Sequence, residues 1–292
     1  DALAFCYTKF HCWIDPTNRS GALPIPRAHP ERCRNCRSHF WLFPVRNRLI
    51  QTYLKHFVRT PVAVSQALAD ALTVNGLRIH RVIHNGIPAE DFASIGESAT
   101  VINERWGLGE GPTFLAGGRL SHFKGHEQAL RAFQRGTSNV SRAQLLIMGG
   151  YGWYGEYLAT RAKDLGISDR VRFLGQVPRE DVPAVISRSS AVLNLSMYLD
   201  PFPTMNLEAM AASRAVVGTC FGGTPEAVEH GRTGYVVNPY DEAAVAERLR
   251  DLSDGPDLAS QLGAAGLIRL RERFQISQMV DAYEAIYREA LD

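Results

Sequence analysis

The sequence predicts an α/β fold built on a parallel sheet covered by helices on both faces, and three observations carry that prediction. From Pro112 onward, short apolar runs alternate with segments whose apolar residues recur at helical spacing. The runs are apolar almost throughout, which is how strands buried on both faces read. With 292 residues, 45% hydrophobic and 21% charged, the chain can bury a sizeable core and form two domains of ordinary size.

Taken in order, the first part is the less regular. "ALAFCYTKF" reads as a strand, "RNRLIQTYLKHFV" as a helix, "PVAVS" as a short strand, "QALADALTVNGL" as a helix ending at Gly76 and "RVIHN" as another strand. Residues 14–40, rich in Pro, Arg and Gly, read as an excursion loop, and residues 88–112 as a linker. The apolar runs "TFLAGG" (113–118), "QLLIMG" (144–149), "VRFLG" (171–175), "AVLNLS" (191–196), "AVVGT" (215–219) and "GYVVN" (234–238) then supply buried strands. Between them "GHEQALRAFQRG", "EYLATRAKDLG", "REDVPAVISRS" and "TMNLEAMAAS" supply helices. Such βα succession makes the sheet parallel, and ligands of such sheets bind at the carboxyl ends of the strands. The N-terminal part offers about three strands where sheets usually carry roughly five or six, so strands upstream of it are expected to be missing.

A formal net charge of +2 gives no ground for a nucleic-acid partner, but the charge is uneven. Between Pro16 and Ala69 the only acid is Glu31, among basic residues that run from Arg19 through Arg37 and Arg46 to Arg59. That balance suits either a solvated basic face or contact with anionic lipid or a phosphorylated substrate. No stretch reaches the ~20 apolar residues of a membrane span, and the first residues lack the regions of a signal peptide. A cytoplasmic protein, peripheral to the membrane if the basic stretch binds lipid, is expected. Without export, the five cysteines do not suggest a disulfide framework. "HPERCRNCRSHF" spaces Cys33 and Cys36 as ligands of a structural zinc, or as free thiols in an irregular loop.

The stretch "DPFPTMNLEAM" (200–210) sets two acids eight positions apart around two prolines. Pro201 and Pro203 hold the residues before them, Asp200 and Phe202, extended after a strand. A helix capped by Thr204 would then leave the first amides, from Met205, Asn206 and Leu207, facing an anion. Glu208 lies one turn in, on the face of Thr204, where its carboxylate can accept hydrogen bonds from sugar hydroxyls. The alternative is that these acids only complement the helix macrodipole.

In "GGRLSHFKGHEQAL" (117–130), Gly117 and Gly118 permit a close backbone approach, and Arg119 and Lys124 stand five apart before a helix. Lys124 is one of four lysines against 28 arginines. Two cations there would neutralise a diphosphate leaving group, or be a solvated basic loop. In "FGGTPEAVEHGRTGYVVNP" (221–239), Gly222 and Gly223 are backbone near a ligand or plain turn residues, with Thr224 capping the helix that carries Glu226. "GGYGWYG" is rich in glycine but lacks the partner acid of a dinucleotide site, which sets a dehydrogenase aside.

The ordered set "RVIHNGIPAEDF", "GGRLSHFKG", "LLIMGGYG", "VRFLGQVPREDVPAVISRSSAVLNLS", "DPFPTMNLEAMA" and "FGGTPEAVEHGRTGYVVNP" resembles the family 4 retaining glycosyltransferases of GT-B fold, over about residues 60–292. The resemblance implies a complete C-terminal Rossmann-like domain and a partial N-terminal one, the first part of which is missing. It divides the chain into an acceptor-side domain at 1–107, a nucleotide-sugar donor domain at 108–275 and a C-terminal helix at 276–292 that packs back toward the first. It places Asp200 at the donor sugar and Glu208 on the ribose hydroxyls, with backbone amides of the stretch between them, at Phe202, Thr204, Met205 and Asn206, holding sugar and phosphate oxygens. Arg119 and Lys124, next to Gly118, become the diphosphate ligands, and the backbone near Val177 lines the base pocket. "TKFHCWIDP" puts His11 between donor sugar and acceptor. Asp200 is one methylene shorter than the family's glutamate, Pro203 stands where glycine is frequent, and Cys12 follows His11 where Asp is usual.

The implied activity is transfer of a sugar from a nucleoside-diphosphate donor to a hydroxyl of a glycan or lipid-linked acceptor, with retention and no metal cofactor, in glycan or polysaccharide synthesis. Alternatives are a nucleotide-sugar epimerase of the same fold, which needs no acceptor, and a non-catalytic nucleotide-sugar-binding fragment.

Overall fold

A computed structural model describes residues 43–92 and 99–292. The run "ALAFCYTKF", the 14–40 excursion, His11 and the Cys33–Cys36 pair fall outside the described residues.

Among the described residues, one sheet has six strands: β3 (Thr113–Gly117), β4 (Gln144–Met148), β5 (Val171–Gly175), β6 (Ala191–Asn194), β7 (Ala215–Thr219) and β8 (Gly234–Val237). They lie in the order β5-β4-β3-β6-β7-β8, and every neighbouring pair is parallel. Each coincides with one of the six apolar runs, ending at most two residues early. A separate two-stranded parallel ladder joins β1 (Val62–Ala63) to β2 (Arg81–Val82). The helices are α1 (Phe43–Phe57), α2 (Gln66–Val74), α3 (Ala99–Trp106), α4 (His126–Gly136), α5 (Gly152–Asp164), α6 (Val182–Arg188), α7 (Thr204–Ala211), α8 (Thr224–Ala227), α9 (Glu242–Asp254), α10 (Pro256–Arg273) and α11 (Ile276–Leu291).

Apolar runs without alternation form these strands because both faces are covered. Phe114, Leu145, Ile147 and Leu193 point to α4, α5 and α9, where Phe133, Leu158 and Leu249 meet them. Their neighbours Leu115, Leu146, Val192 and Val216 point to α6, α7 and α10, meeting Val185, Leu207 and Leu270. Period-two side-chain direction thus splits each strand between two cores. Burying each such side chain stabilises the fold by roughly 1.5–3 kcal/mol relative to exposure.

One expectation is corrected. Residues 88–112, read as a linker, contain a 3₁₀ turn (Ala89–Phe92) and the helix α3. α3 packs on α6 through Ile102, which is 1% exposed, and Arg105 pairs with Asp181 at 2.8 Å. Its eight residues bury too few side chains to show helical periodicity in the sequence.

The smaller unit is tied to the large one through β2 and the residues that follow it. Ile87 bridges to Gln275, just before α11. Arg81 on β2 reaches Glu289 of α11 at 2.7 Å, and Arg59 Nη1 donates to the Ala290 carbonyl at 3.0 Å. No helix among the described residues is long and apolar enough to cross a membrane.

Candidate functional site

The chain runs outward from β3 through β4 to β5, then returns to β6 and runs the other way through β7 to β8. Loops leaving the carboxyl ends of β3 and β6 therefore diverge and open a crevice, the place where open α/β sheets bind ligands. Lys124 follows β3 and Asp200 follows β6, and the structure joins them across this crevice.

Lys124 Nζ donates to Asp200 Oδ2 at 2.6 Å. Ser196 Oγ and Tyr198 Oη donate to the same oxygen, at 2.9 and 3.1 Å. Oδ1 takes none of these bonds. The Lys124 ammonium also lies 5.3 Å from the centre of the Tyr198 ring. Burial pulls the ammonium pKa down, but Asp200 and Tyr198 raise it, and the net direction is upward. Lys124 is therefore held as a cation.

Behind this pair runs a buried polar chain. Asn206 Nδ2 donates to Thr224 Oγ1 at 3.1 Å, and Asn206 Oδ1 accepts from Asn194 Nδ2 at 2.9 Å. Ser196 Oγ lies 3.1 Å from Asn194 Oδ1 and thus links the chain to Asp200. Asn194, Ser196, Asn206, Thr224 and Asp200 are all buried. Such groups are retained only when partnered, so the network fixes α7, α8 and the end of β6 in one register around the acid. Asn194, Ser196 and Tyr198 were missed from the sequence. Asn194 and Ser196 were nevertheless visible, as polar residues two apart at the end of "AVLNLS".

Two capping expectations are corrected. α7 begins one residue earlier than read: Pro203 is the N-cap and Thr204 the first helical residue. Proline has no N–H, so the first-turn amides are those of Thr204, Met205 and Asn206, the last turned back on the Pro203 carbonyl at 3.3 Å. Leu207 drops out of that set. Thr224 does not cap α8 with its side chain; Gly223 is the N-cap, and the Thr224 hydroxyl belongs to the buried network.

Glu208 lies one turn into α7, half-buried. Burial pushes its carboxyl up, against the Thr204 hydroxyl and the Arg179 charge, and the net direction is upward. The Thr204 hydroxyl fills only one of the roughly four acceptor positions of that carboxylate. Val177 precedes Arg179 in the loop after β5 and packs on the core beneath α7. Gly117 leaves room for Met205: a Cβ there would stand 2.6 Å from the Met205 methyl. Gly118, with φ 108°, and Arg119 are exposed beside it, and Arg119 has no ion pair among the described residues.

The Phe202 ring lies inside the protein, which leaves only its backbone to meet a donor. The residue is 3% exposed, its ring packed against His84 and Phe274 at 4.7 and 5.5 Å between centres, and its carbonyl accepts from Asn85 Nδ2 at 3.0 Å. The side chain serves the contact between the two units and offers no free surface. Gly222 and Gly223 serve the same segment. A Cβ on Gly222 (φ 69°) would stand 2.0 Å from the Asp200 carbonyl oxygen, and one on Gly223 2.2 Å from that of Pro201. The choice between ligand contact and turn resolves as close backbone packing that seats the acid.

Glu226 has a role the sequence did not disclose. Its carboxylate accepts from the amides of Gln66 and Ala67, at 2.8 and 2.9 Å, and from His84 Nε2 at 2.8 Å. It therefore caps α2 from the opposite unit. Burial pushes its carboxyl up, but His84 and the two amides outweigh that and hold it low. At the head of α4, His126 is 1% exposed, and its Nδ1 has no partner. Burial, against a Ser121 backbone bond and aided by Lys124, pulls it down to about 4, so it is neutral. No group of metal ligands occurs among the described residues.

Residues 100–268 match the family model described as glycosyl transferases group 1. The GDP-mannose-dependent alpha-(1-6)-phosphatidylinositol monomannoside mannosyltransferase of Mycolicibacterium smegmatis is 32% identical over 187 residues, 62% of this chain and 49% of that protein. A D-inositol 3-phosphate glycosyltransferase of Streptomyces avermitilis is 32% identical over 219 residues, 72% of this chain and 47% of that one. The chain thus spans about half the length of the curated relatives it matches. Among solved structures, Anabaena Alr3699/HepE in complex with UDP and glucose superposes with a TM-score of 0.78 at 21% identity, covering 84% of this chain and 67% of that one.

Proposed function

The chain belongs to the group 1 glycosyl transferases and has the α/β GT-B fold of its solved neighbours; from that premise we propose that it moves a sugar from a nucleoside-diphosphate donor to a hydroxyl acceptor with retention at the anomeric carbon. The observation that carries the reading is the Lys124–Asp200 pair across the crevice between β3 and β6. Asp200 fixes the ammonium through Oδ2 and keeps Oδ1 for a hydroxyl of the donor sugar. Lys124, exposed Arg119 and the first two amides of α7, those of Thr204 and Met205, bind the diphosphate, whose developing charge they stabilise as the bond to the sugar breaks. Glu208 accepts from the ribose hydroxyls with the oxygen positions the Thr204 hydroxyl leaves open. The loop at Val177 borders the base. In the same reading the departing diphosphate takes the acceptor's proton on the face it leaves, and His11, outside the described residues, stands beside donor sugar and acceptor.

The substrates in the relatives' names, GDP-mannose with a phosphoinositide glycoside and inositol 3-phosphate, support an acceptor whose hydroxyl belongs to a polyol or glycan, free or lipid-linked. The division of labour between residues 1–107 and 108–275, acceptor side and donor side, is part of the proposal, and 276–292 joins them.

The test is incubation with UDP-, GDP- and ADP-sugars, each with and without polyol and lipid-linked acceptors, with anomeric configuration read by NMR. Transfer with retention supports the reading. Conversion of the sugar without acceptor assigns an epimerase instead, and donor binding with no turnover under any condition assigns a binding module.

A further inference from the structure

At the other end of the sheet, where β6 and β7 begin, a cavity of about 410 Å³ opens between the last turn of α6 and the first turn of α10. At about 30 Å³ per water it holds more than an inorganic anion alone. Its charged lining is Arg188 and Arg214, joined by Ser187, Ser190, Pro256 and Ser260, and no acid lines it. Arg188 hangs from Asn103 and Gly109, with Nε donating to Asn103 Oδ1 at 2.6 Å and Nη2 to the Gly109 carbonyl at 2.5 Å. Neither partner carries charge. Arg214 is fixed at its backbone by the Ala209 carbonyl, at 2.8 Å, but its Nε–H is buried with no acceptor, and no carboxylate pairs with it among the described residues. Burial, followed by the Arg188 charge, pulls the Arg214 guanidinium down from its ordinary value.

Two guanidiniums that line one cavity with no carboxylate between them are an unfavourable arrangement that a dianion between them relieves. The surroundings are built the same way. The first turn of the 18-residue α10 opens at Pro256 with the positive end of its dipole. The opposing carbonyls at the end of α6, those of Ala184 and Val185, are covered by the Ser187 and Ser189 hydroxyls, at 2.8 and 3.2 Å. We propose that this cavity is a second anion site, bound by Arg188 and Arg214, that takes the phosphate group of a small phosphorylated molecule. It lies across the sheet from the donor crevice and does not depend on the transferase reading. Arg188 ties the site to α3, the helix that joins the two units.

The test is calorimetric titration of the full chain with inorganic phosphate and with glycerol phosphate at fixed ionic strength, set beside thermal shift. Arg214→Gln is expected to weaken binding at least about tenfold, the loss of a charge-assisted pair. Arg119→Ala, at the donor crevice, should leave binding at this site intact. Without phosphate, Arg214→Gln should melt no lower than wild type, since it removes an unpaired buried charge. A second variant, Ser260→Glu, sets a carboxylate at the exposed rim and should abolish the phosphate-induced shift without touching either arginine. Sedimentation with phosphatidic-acid vesicles, lost in both variants, would make the phosphate that of a lipid headgroup and still support the site. Equal phosphate affinity in wild type, Arg214→Gln and Ser260→Glu, or binding lost only in Arg119→Ala, overturns the proposal.

Discussion

Lys124 and Arg119 share one loop, yet their electrostatic surroundings differ. Removing Lys124 leaves the Asp200 carboxylate buried with only two hydroxyls, so Lys124→Ala should lower both turnover and stability, the latter by about 3 kcal/mol or more. Arg119 is exposed, and Arg119→Ala should melt within about 0.5 kcal/mol of wild type while donor affinity and turnover fall at least about tenfold. Denaturant unfolding beside donor titration checks both, and an unchanged donor affinity in Arg119→Ala would remove it from the diphosphate site. Asn206→Ala orphans Asn194 Nδ2 and the Thr224 hydroxyl and should cost roughly 2–4 kcal/mol by the same unfolding measurement. These partnerships explain what the residues alone did and did not reveal. Charge type and spacing raised Lys124, Asp200 and Glu208 as candidates beside a solvated loop and a macrodipole role, and the resemblance of the ordered stretches singled them out. Nothing local told that Lys124 and Asp200, 76 positions apart, hold each other, or that the Phe202 ring turns away.

At the scale of elements, the five strands β3, β4, β6, β7 and β8 were legible because each is largely buried on both faces, and the half-buried edge strand β5 because Val171, Phe173 and Leu174 still mark it as apolar. The elements that were misplaced depend on distant partners. α3 is held by α6, and α7 starts at Thr204, after a loop that packs Asp200 against Gly222. α2 is the clearest case. Ser65 caps it locally, accepting from the Leu68 amide at 3.1 Å, but its first two amides are satisfied by Glu226 from the other unit. Glu226→Gln keeps the shape and loses the charge, and should destabilise the start of α2 by about 1 kcal/mol, seen as faster hydrogen exchange at Gln66 and Ala67. The folded-state carboxyl is held below its ordinary 4.5, so its stabilisation is complete above that pH and is lost as pH falls through the lowered value. The exchange difference between wild type and Glu226→Gln should therefore persist at pH 7 and shrink below pH 4.5. Persistence of the full difference in strong acid would show that charge is not what caps α2.

For the molecule as a whole, the switch point of the sheet is also where acid should act first. His126 is neutral and buried under the Lys124 loop, with its folded pKa lowered from 6.5 to about 4. The unfolded chain takes up this proton as pH falls below 6.5 and the folded chain does not, so unfolding gains from acid throughout that window. The stabilisation is complete above pH 6.5, and at pH 5 the 1.5-unit gap removes about 2 kcal/mol at 1.36 kcal/mol per unit. Glu208 works in the opposite sense. Its carboxyl is raised in the fold, so protonation there favours the folded state as pH falls. The two protons act with opposite sign, and the His126→Gln variant isolates that of the histidine. Urea unfolding at pH 7, 6 and 5 should show stability falling steadily. His126→Gln, neutral at every pH, should flatten that slope even if its absolute stability is lower, because only the slope reports the proton. Donor binding stabilises the folded state and should lift all three curves equally if His126 stays neutral in the complex. An unchanged slope in His126→Gln would place the acid sensitivity elsewhere and remove the histidine beneath the crevice from any account of it.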